Sequence, residues 1–156
     1  MIDRKKLRAH HVEASFVTGR FLTEHLVRVY QAFDGDIVAA IVLGSIGQYN
    51  LQRYYEEIGC RLGAGRQAMP ERGEHLAHMR PCNTLSISQS TGIPRETVRR
   101  KVRDLVERGW VMRLAPDQLV ITQAPARHFV DFDLETVERF HAAAGQVMRL
   151  VDKRGR

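Results

Sequence analysis

The residues with the clearest chemical potential are the charged side chains that follow Pro94. The interval 94–103 carries five cations and one anion: Arg95, Glu96, Arg99, Arg100, Lys101 and Arg103. A guanidinium stays charged and presents a planar pair of donors, so arginine suits phosphates and guanine edges, and it suits carboxylates equally well. The pattern indicates either a surface for an anionic partner or an arginine-rich face that is only solvated.

Apolar residues in the same segment predict the helix that positions these cations. Pro94 suits its first position, where an N–H would have no partner in the helix, and Gly109 closes it. Four residues at helical spacing predict its buried stripe: Val98, Val102, Leu105 and Val106. The charged side chains fall on the opposite side of this helix, so we expect them to face outward.

A shorter helix is predicted immediately before this one. Asn83 or Thr84 can cap it, and Gly92 ends it because glycine tolerates a positive φ. A short helix, a glycine turn and a longer helix with a basic first half describe a helix-turn-helix. In that motif the second helix enters the major groove of DNA with its N-terminal turns toward the bases, so long donors belong at that end.

Two β-prone runs follow the longer helix. They span residues 110–114 and 118–122 and flank a turn at Pro116 and Asp117, which predicts a β-hairpin. A hairpin directly after a recognition helix is a wing. The sequence therefore predicts a winged helix-turn-helix over residues 83–122.

This region resembles the DNA-binding part of bacterial transcription regulators of the GntR and MarR kind. The GntR run Gly-apolar-x-Arg-x-Thr-apolar-Arg is met by Gly92, Ile93, Arg95, Thr97, Val98 and Arg99, and residues 105–111 match its exit from helix to wing. The resemblance implies that Arg95, Thr97 and Arg99 contact bases or phosphates, with Arg113 on the wing near the DNA backbone. We expect Arg100, Lys101 and Arg103 to neutralise phosphates, and we include Glu96 in the same surface.

The chain departs from the GntR plan in two ways. Lys101 stands where an alanine is common, so its stem must either be exposed or snorkel. No effector domain of the GntR kind follows the motif, whereas helices lie on both sides of it. That order is closer to the MarR plan, in which terminal helices build the dimer.

Two helices are predicted before the motif. From Val12 to Phe33, apolar residues fall three or four apart with a gap at Gly19, and Asp36 can cap a second helix. The first half of that second helix is apolar nearly all round and must be covered on every side, which favours a partner chain over a central position in a monomer. We assign residues 1–58 to an N-terminal helical hairpin that dimerises.

The remaining segments are a linker and a last helix. Residues 59–82 are rich in glycine and predict a linker, which is either a hinge or the lining of a pocket. In residues 123–156, Asp131 or Asp133 can cap a helix whose apolar residues keep helical spacing. For this C-terminal helix we favour dimerisation with the N-terminal hairpin of a second copy over packing on its own chain.

Composition and motifs exclude several other classes. The chain has 156 residues, a net charge of +6 and two cysteines, and no apolar stretch is long enough to span a membrane. The basic start precedes no apolar run, so we expect no secretory signal and a cytoplasmic protein with reduced thiols. A metal site is not expected, because Cys60, Glu71, Glu74, His75, His78 and Cys82 lack the spacing of known zinc motifs.

The sequence therefore predicts a mainly α fold with a small β-wing, a winged helix-turn-helix flanked by N- and C-terminal dimerisation helices. The expected function is a sequence-specific DNA-binding transcription regulator that acts as a homodimer on a pseudo-palindromic operator in double-stranded DNA. The alternative is a winged-helix protein-interaction adaptor without direct DNA readout. We expect no enzymatic activity, no cofactor and no membrane partner, and the sequence leaves a small-molecule effector open.

Overall fold

The chain is mainly helical and carries one small antiparallel sheet. The computed structural model describes residues 2–59 and 79–151, without the side chains of residues 53–59. The helices in these ranges are α1 (Arg4–Ala9), α2 (His11–Ala32), α3 (Ile37–Gly59), α4 (Thr84–Thr91), α5 (Arg95–Glu107), α6 (Ala124–His128) and α7 (Val130–Val151). The two strands are β1 (Val111–Ala115) and β2 (Gln118–Ile121). The expected class, mainly α with a small sheet, is confirmed, and within the described ranges no helix is long and apolar enough to cross a bilayer.

The structure divides the chain into two compact units. One unit consists of the chain up to Gly35 together with the chain from His128 onward, and the other runs from Asp36 to Arg127. The predicted hairpin over residues 1–58 is therefore not one unit, because α3 belongs with the segment that follows it. The boundary at Gly35 coincides with a tight turn in which Asp34 and Gly35 both adopt positive φ.

The apolar half of α3 finds its cover inside its own unit. Its buried side chains are Ala39, Val42, Leu43 and Ile46. They share one core with α5 and the hairpin, whose buried residues are Val98, Val102, Leu105, Val111, Leu119 and Val120. Gly47 faces Ile121, whose Cδ1 would lie 3.1 Å from a Cβ at that position. Most of the apolar cover of this helix therefore comes from its own chain, as the alternative of a central position predicts, although Ile41 remains exposed.

A buried amide ties α3 to the two segments that cross it. The Asn50 side chain is fully buried, and its Nδ2 donates to the carbonyl oxygens of Arg80, at 2.8 Å, and Leu119, at 3.1 Å. Its Oδ1 accepts from the amide of Ile121 at 2.8 Å. Both donors and the acceptor of this side chain are thus used, which a buried amide requires. The chain entering α4 and strand β2 are both held at fixed positions on α3.

Helices α4 and α5 begin and end largely as their local signals predict. Asn83 caps α4 in a capping box with Ser86, and Gly92 ends it in the left-handed conformation at φ 72°. Pro94 is the N-cap of α5 rather than its first helical residue, since its ψ of 136° is extended. The turn between the helices is fixed by the Ser88 hydroxyl, which donates to the carbonyl of Ile93 at 2.7 Å. The predicted stripe of α5 is confirmed except at Val106, which is half-buried.

The predicted hairpin forms, and a third segment pairs with it. Strands β1 and β2 are antiparallel, with Val111 opposite Ile121 and Arg113 opposite Leu119. On its other side β2 pairs with the chain at Cys82, whose amide and carbonyl both bond to Leu119. The end of the predicted linker therefore packs into this unit.

The other unit is built on α2 and α7, which pack antiparallel. Arg28 of α2 donates to the carbonyl of Phe132 at 3.1 Å, pairs with Glu135 at 2.8 Å and lies over the Phe132 ring. Nearer the other end of this contact, Phe21 of α2 lies against Phe140 of α7. Asp131 and Asp133 lie in the first turn of α7 and do not cap it, because the helix begins at Val130.

This α2–α7 unit buries few apolar side chains. Among its described residues the buried ones are Ala14, Phe33 and Val151. Its exposed large apolar side chains are far more numerous: Ile2, Leu7, Val12, Phe16, Leu22, Leu26, Val27, Tyr30, Val130, Leu134, Val137, Phe140 and Met148. Apolar exposure of this extent is typical of a surface that another molecule covers.

The Asn50 amide predicts a large and local cost on substitution. In the variant Asn50→Ala the amide of Ile121 and the carbonyl of Arg80 lose this partner, while the carbonyl of Leu119 keeps its bond from the Cys82 amide, so we expect the free energy of unfolding to fall by about 1–3 kcal/mol. Urea titration followed by circular dichroism measures this change. Gln48→Ala, at an exposed position of the same helix, is the matched control and should change stability by less than about 0.5 kcal/mol. Equal effects of the two substitutions would contradict the role of Asn50.

Candidate nucleic-acid interface

The outward side of α5 carries the cations that the sequence singled out. Arg95, Arg99, Arg100 and Arg103 are all exposed, while Val98, Val102 and Leu105 anchor the opposite side of the helix in the core. The helix has a strong division between its two sides, as an amphipathic surface helix requires. Four guanidinium groups are thereby held toward solvent by buried neighbours of fixed position.

The hairpin adds a fifth arginine to the same surface. Arg113 of β1 lines one depression with Arg99, Arg100 and Arg103, and a second, adjoining depression with Arg95 and Arg99. Its Nη1 donates to the carbonyl of Pro116 at 3.0 Å, so the side chain is directed along the hairpin turn. We call these five residues the arginine face: Arg95, Arg99, Arg100, Arg103 and Arg113.

The carboxylates near the arginine face leave its cations accessible. Arg99 pairs with Glu96 at 2.9 Å, and Arg103 lies 3.9 Å from Asp104, but both arginine side chains remain more than 60% exposed. Exposed pairs of this kind contribute about 0–1 kcal/mol, so an incoming phosphate can displace them. Within the part of the chain that the structure describes, Arg95 and Arg100 form no ion pair. Asp117 also lines the second depression.

Lys101 does not belong to the arginine face. Its side chain is only 15% exposed, and its Nζ forms an ion pair with Asp36 at the start of α3. The expectation that Lys101 neutralises phosphates is therefore wrong, because its side chain turns away from the other cations. Its contribution is to join the beginning of α3 to the middle of α5.

The two carboxyl oxygens of Asp36 make two different contacts. Its Oδ1 accepts from the amide of Ala39 at 3.0 Å and so caps α3, as predicted, while its Oδ2 takes the ion pair with Lys101. Burial alone raises the pKa of the Asp36 carboxyl, but the hydrogen bonds from Lys101 and Ala39, with the positive charges of Lys101 and Arg108, hold that pKa below its usual value. The carboxylate is thus stabilised in its charged form.

Two uncharged or acidic side chains complete the surface. Thr97 is half-buried and Glu96 is exposed, and both line the depression that Arg113 shares with α5. In a DNA groove a threonine hydroxyl can bond to either kind of base edge, and a glutamate can accept from the amino group of cytosine. The surface therefore offers hydrogen-bond donors for phosphates as well as side chains that are able to contact base edges.

The metal candidates of the sequence are mostly outside the described residues. Cys60, Glu71, Glu74, His75 and His78 lie there, and the described part of the chain holds no cluster of three or more ligand residues. Cys82 is buried beside Asn50, and burial raises the pKa of its thiol to about 11. Without a bound cation, Cys82 is therefore a protonated thiol at neutral pH.

No protein-family model matches this chain, and no curated protein or solved structure matches it either. The residues of the site themselves therefore carry its interpretation.

The low pKa of Asp36 predicts a pH-dependent contribution to stability. A carboxyl whose pKa is depressed on folding stabilises the folded chain above its unfolded pKa, near 4, and that contribution is lost as the pH falls through the folded pKa. Asp36→Asn keeps a capping side chain but loses the charge, so we expect about 1 kcal/mol lower stability at pH 7 and a difference that narrows below about pH 4.

Denaturant titrations of the Asp36→Asn variant and of the unchanged protein from pH 7 to pH 3 measure this difference in stability. Glu107→Gln removes an exposed carboxylate at the end of α5 and is the matched control. A gap between Asp36→Asn and the unchanged protein that stays constant with pH would contradict the assignment.

Proposed function

We propose that this chain is a sequence-specific DNA-binding transcription regulator that acts as a homodimer. In this interpretation residues 83–122 form a winged helix-turn-helix, with α5 as recognition helix and the β1–β2 hairpin as wing. The order of elements, the glycine turn between α4 and α5 and the position of the hairpin support this assignment.

The observation that carries the proposal is the arginine face. Five guanidinium groups from α5 and β1 share one surface, remain exposed and are opposed by few acids. Three of the five lie on the first two turns of α5, at the end that enters the major groove in a helix-turn-helix. The buried stripe of α5 and the Asn50 contacts hold helix and hairpin in fixed positions, so this surface needs no rearrangement to meet a duplex.

In the proposed mechanism α5 lies in the major groove and the hairpin flanks it on the phosphates. Arg95 and Arg99 are at the groove end of the helix and contact bases or phosphates, whereas Arg100 and Arg103 neutralise the backbone. Arg113 extends the contact onto the wing. Two copies related by a two-fold axis would read half-sites about 10 bp apart, or a multiple of that distance.

The exposed apolar side chains of α2 and α7 support the homodimer. The two helices bury only a small core between them, and their remaining apolar sides have no cover among the described residues of their unit. A stable dimer interface supplies such cover. The C-terminal helix thus packs on α2 of its own chain and still presents a side to a second copy, which combines the two alternatives that the sequence left open.

Charge substitutions on α5 test the DNA-binding proposal. Arg99→Ala should weaken binding to a DNA fragment selected from random duplexes by about 1–3 kcal/mol and relax specificity at one base position. Arg100→Gln should weaken all sequences alike and lower the slope of log affinity against log salt concentration by about 1. Fluorescence anisotropy over a range of salt concentrations measures both effects.

Lys101→Gln provides the matched control, because it removes one charge from the same helix on the side paired with Asp36. It should leave the salt slope unchanged. A failure to select any duplex, or binding that does not respond to salt, would overturn the proposal and favour the protein-interaction adaptor.

Sedimentation equilibrium tests the homodimer directly. At micromolar concentration the apparent molecular mass of the protein should be twice the 17.8 kDa of one chain. A mass of one chain under these conditions would contradict the dimer. In that case a single arginine face would have to bind the DNA.

A further inference from the structure

The outward side of α2 carries a regular series of residues. Their spacing alternates between four and three positions, which aligns them along one side of the helix, as in the contact line of a coiled coil. We call this series the α2 seam: Val12, Phe16, Gly19, Thr23, Leu26 and Tyr30. All six residues are exposed, and Phe16 reaches 69% exposure. Phe21 and Arg28, which contact α7, lie on the other side of the helix.

Gly19 is the residue of the seam that a single chain does not explain. It lies in the interior of a 22-residue helix, and a Cβ built on it would meet no atom within 4 Å. Its φ is not in the positive region that glycine alone adopts readily. Glycine at an exposed position inside a helix lowers the folding equilibrium constant about fivefold relative to alanine. Nothing in the described chain compensates for this loss.

A second helix passing close to α2 would require a small residue at this place. Gly19 and Thr23 are one turn apart at the middle of the seam, and large side chains lie on both sides of them: Val12, Phe16, Leu26 and Tyr30. The seam therefore has small side chains at its centre and large ones toward both ends. This pattern is the same in either direction along the helix. A partner with small residues at its centre and large ones at its ends fits this shape, and α2 itself is such a helix.

We propose that the α2 seam packs against the α2 seam of a second copy of this chain, with Gly19 and Thr23 at the closest approach of the two helices. The proposal deepens the homodimer stated above and rests on it. An isologous interface needs a patch that is complementary to itself, which the seam is. The seam carries no charge, and the adjacent Arg20 and Glu24 lie 4.0 Å apart with opposite signs, so neither a nucleic acid nor an acidic protein is favoured there.

The direction in which a single substitution changes the dissociation constant of the dimer tests this packing. If two helices meet at Gly19, Gly19→Ala inserts a methyl group between them and should raise the dissociation constant of the dimer at least about tenfold. Gly44→Ala is the matched control, because Gly44 is also exposed, helical and without a neighbour within 4 Å, but the residues one turn from it, Ala40 and Gln48, do not continue a series of large apolar side chains. It should leave the dissociation constant unchanged and stabilise α3. Sedimentation equilibrium measures the constants, and circular dichroism checks that each variant keeps its helices.

Equal behaviour of the two glycine variants would overturn the proposal, since Gly19 would then be an ordinary tolerated glycine. A dimer that weakens only with Gly19→Ala supports it.

A second measurement remains decisive even if Gly19→Ala unfolds the α2–α7 unit. For that purpose Phe16→Cys and Leu26→Cys are made in separate chains that also carry Cys60→Ser, while the buried Cys82 is retained.

Oxidation of these chains, alone and mixed, reports which helices meet. Linkage of Phe16→Cys to Leu26→Cys indicates antiparallel seams, linkage of each to itself indicates parallel seams, and either result supports the proposal. A dimer that forms no such link places another surface, such as the exposed side of α7, at the interface and overturns it. A chain that stays monomeric contradicts the homodimer itself, so the two failures are distinguishable, and neither depends on the DNA experiments.

Discussion

The arrangement of the Asp36–Arg127 unit depends on one buried amide. Asn50 sits on the central helix α3 and bonds to main-chain groups of two segments that lie on that helix. A buried polar group left unpaired would disfavour folding, so only the register that pairs all of its donors and acceptors is stable. That register fixes β2 on α3, and β2 in turn fixes β1 and the side chain of Arg113 beside α5. The hairpin arginine thus reaches the arginine face through a constraint that begins on another helix.

A second constraint sorts the cations of α5. Six of the residues from 95 to 103 are charged, and their order along the chain does not tell which ones face a partner. The buried stripe settles the rotation of the helix, and Asp36 removes Lys101 from the outward set by pairing with it. The cations that remain outward on α5 are all arginines, whose planar donors suit bidentate contact better than a lysine does. The surface is therefore smaller than the sequence suggested and chemically more uniform.

Local signals predicted most of the elements, and long-range contacts account for what the sequence did not reveal. The caps at Asp36 and Asn83 and the end of α4 at Gly92 depend on neighbouring residues, and all were predicted. The partners of Asn50 lie 30 to 71 residues away, and those of Asp36 include Lys101, 65 residues away, so no local pattern indicates them. The same holds for α3, whose apolar side was assigned to a second chain because its cover comes from β2 and α5, far along the sequence.

In the proposed function, the two units of the chain have separate roles. The Asp36–Arg127 unit completes its core within one chain and presents charge, whereas the α2–α7 unit leaves most of its large apolar side chains exposed. One arginine face can neutralise only a few phosphates, and binding of that kind is weak and has little specificity at physiological salt. Linking two such faces makes the second contact intramolecular, which raises affinity by orders of magnitude without any new residue on the DNA. If the proposed function is correct, apolar exposure in one unit and cationic exposure in the other serve one requirement, because the charge of a single copy is too small to hold a specific site alone.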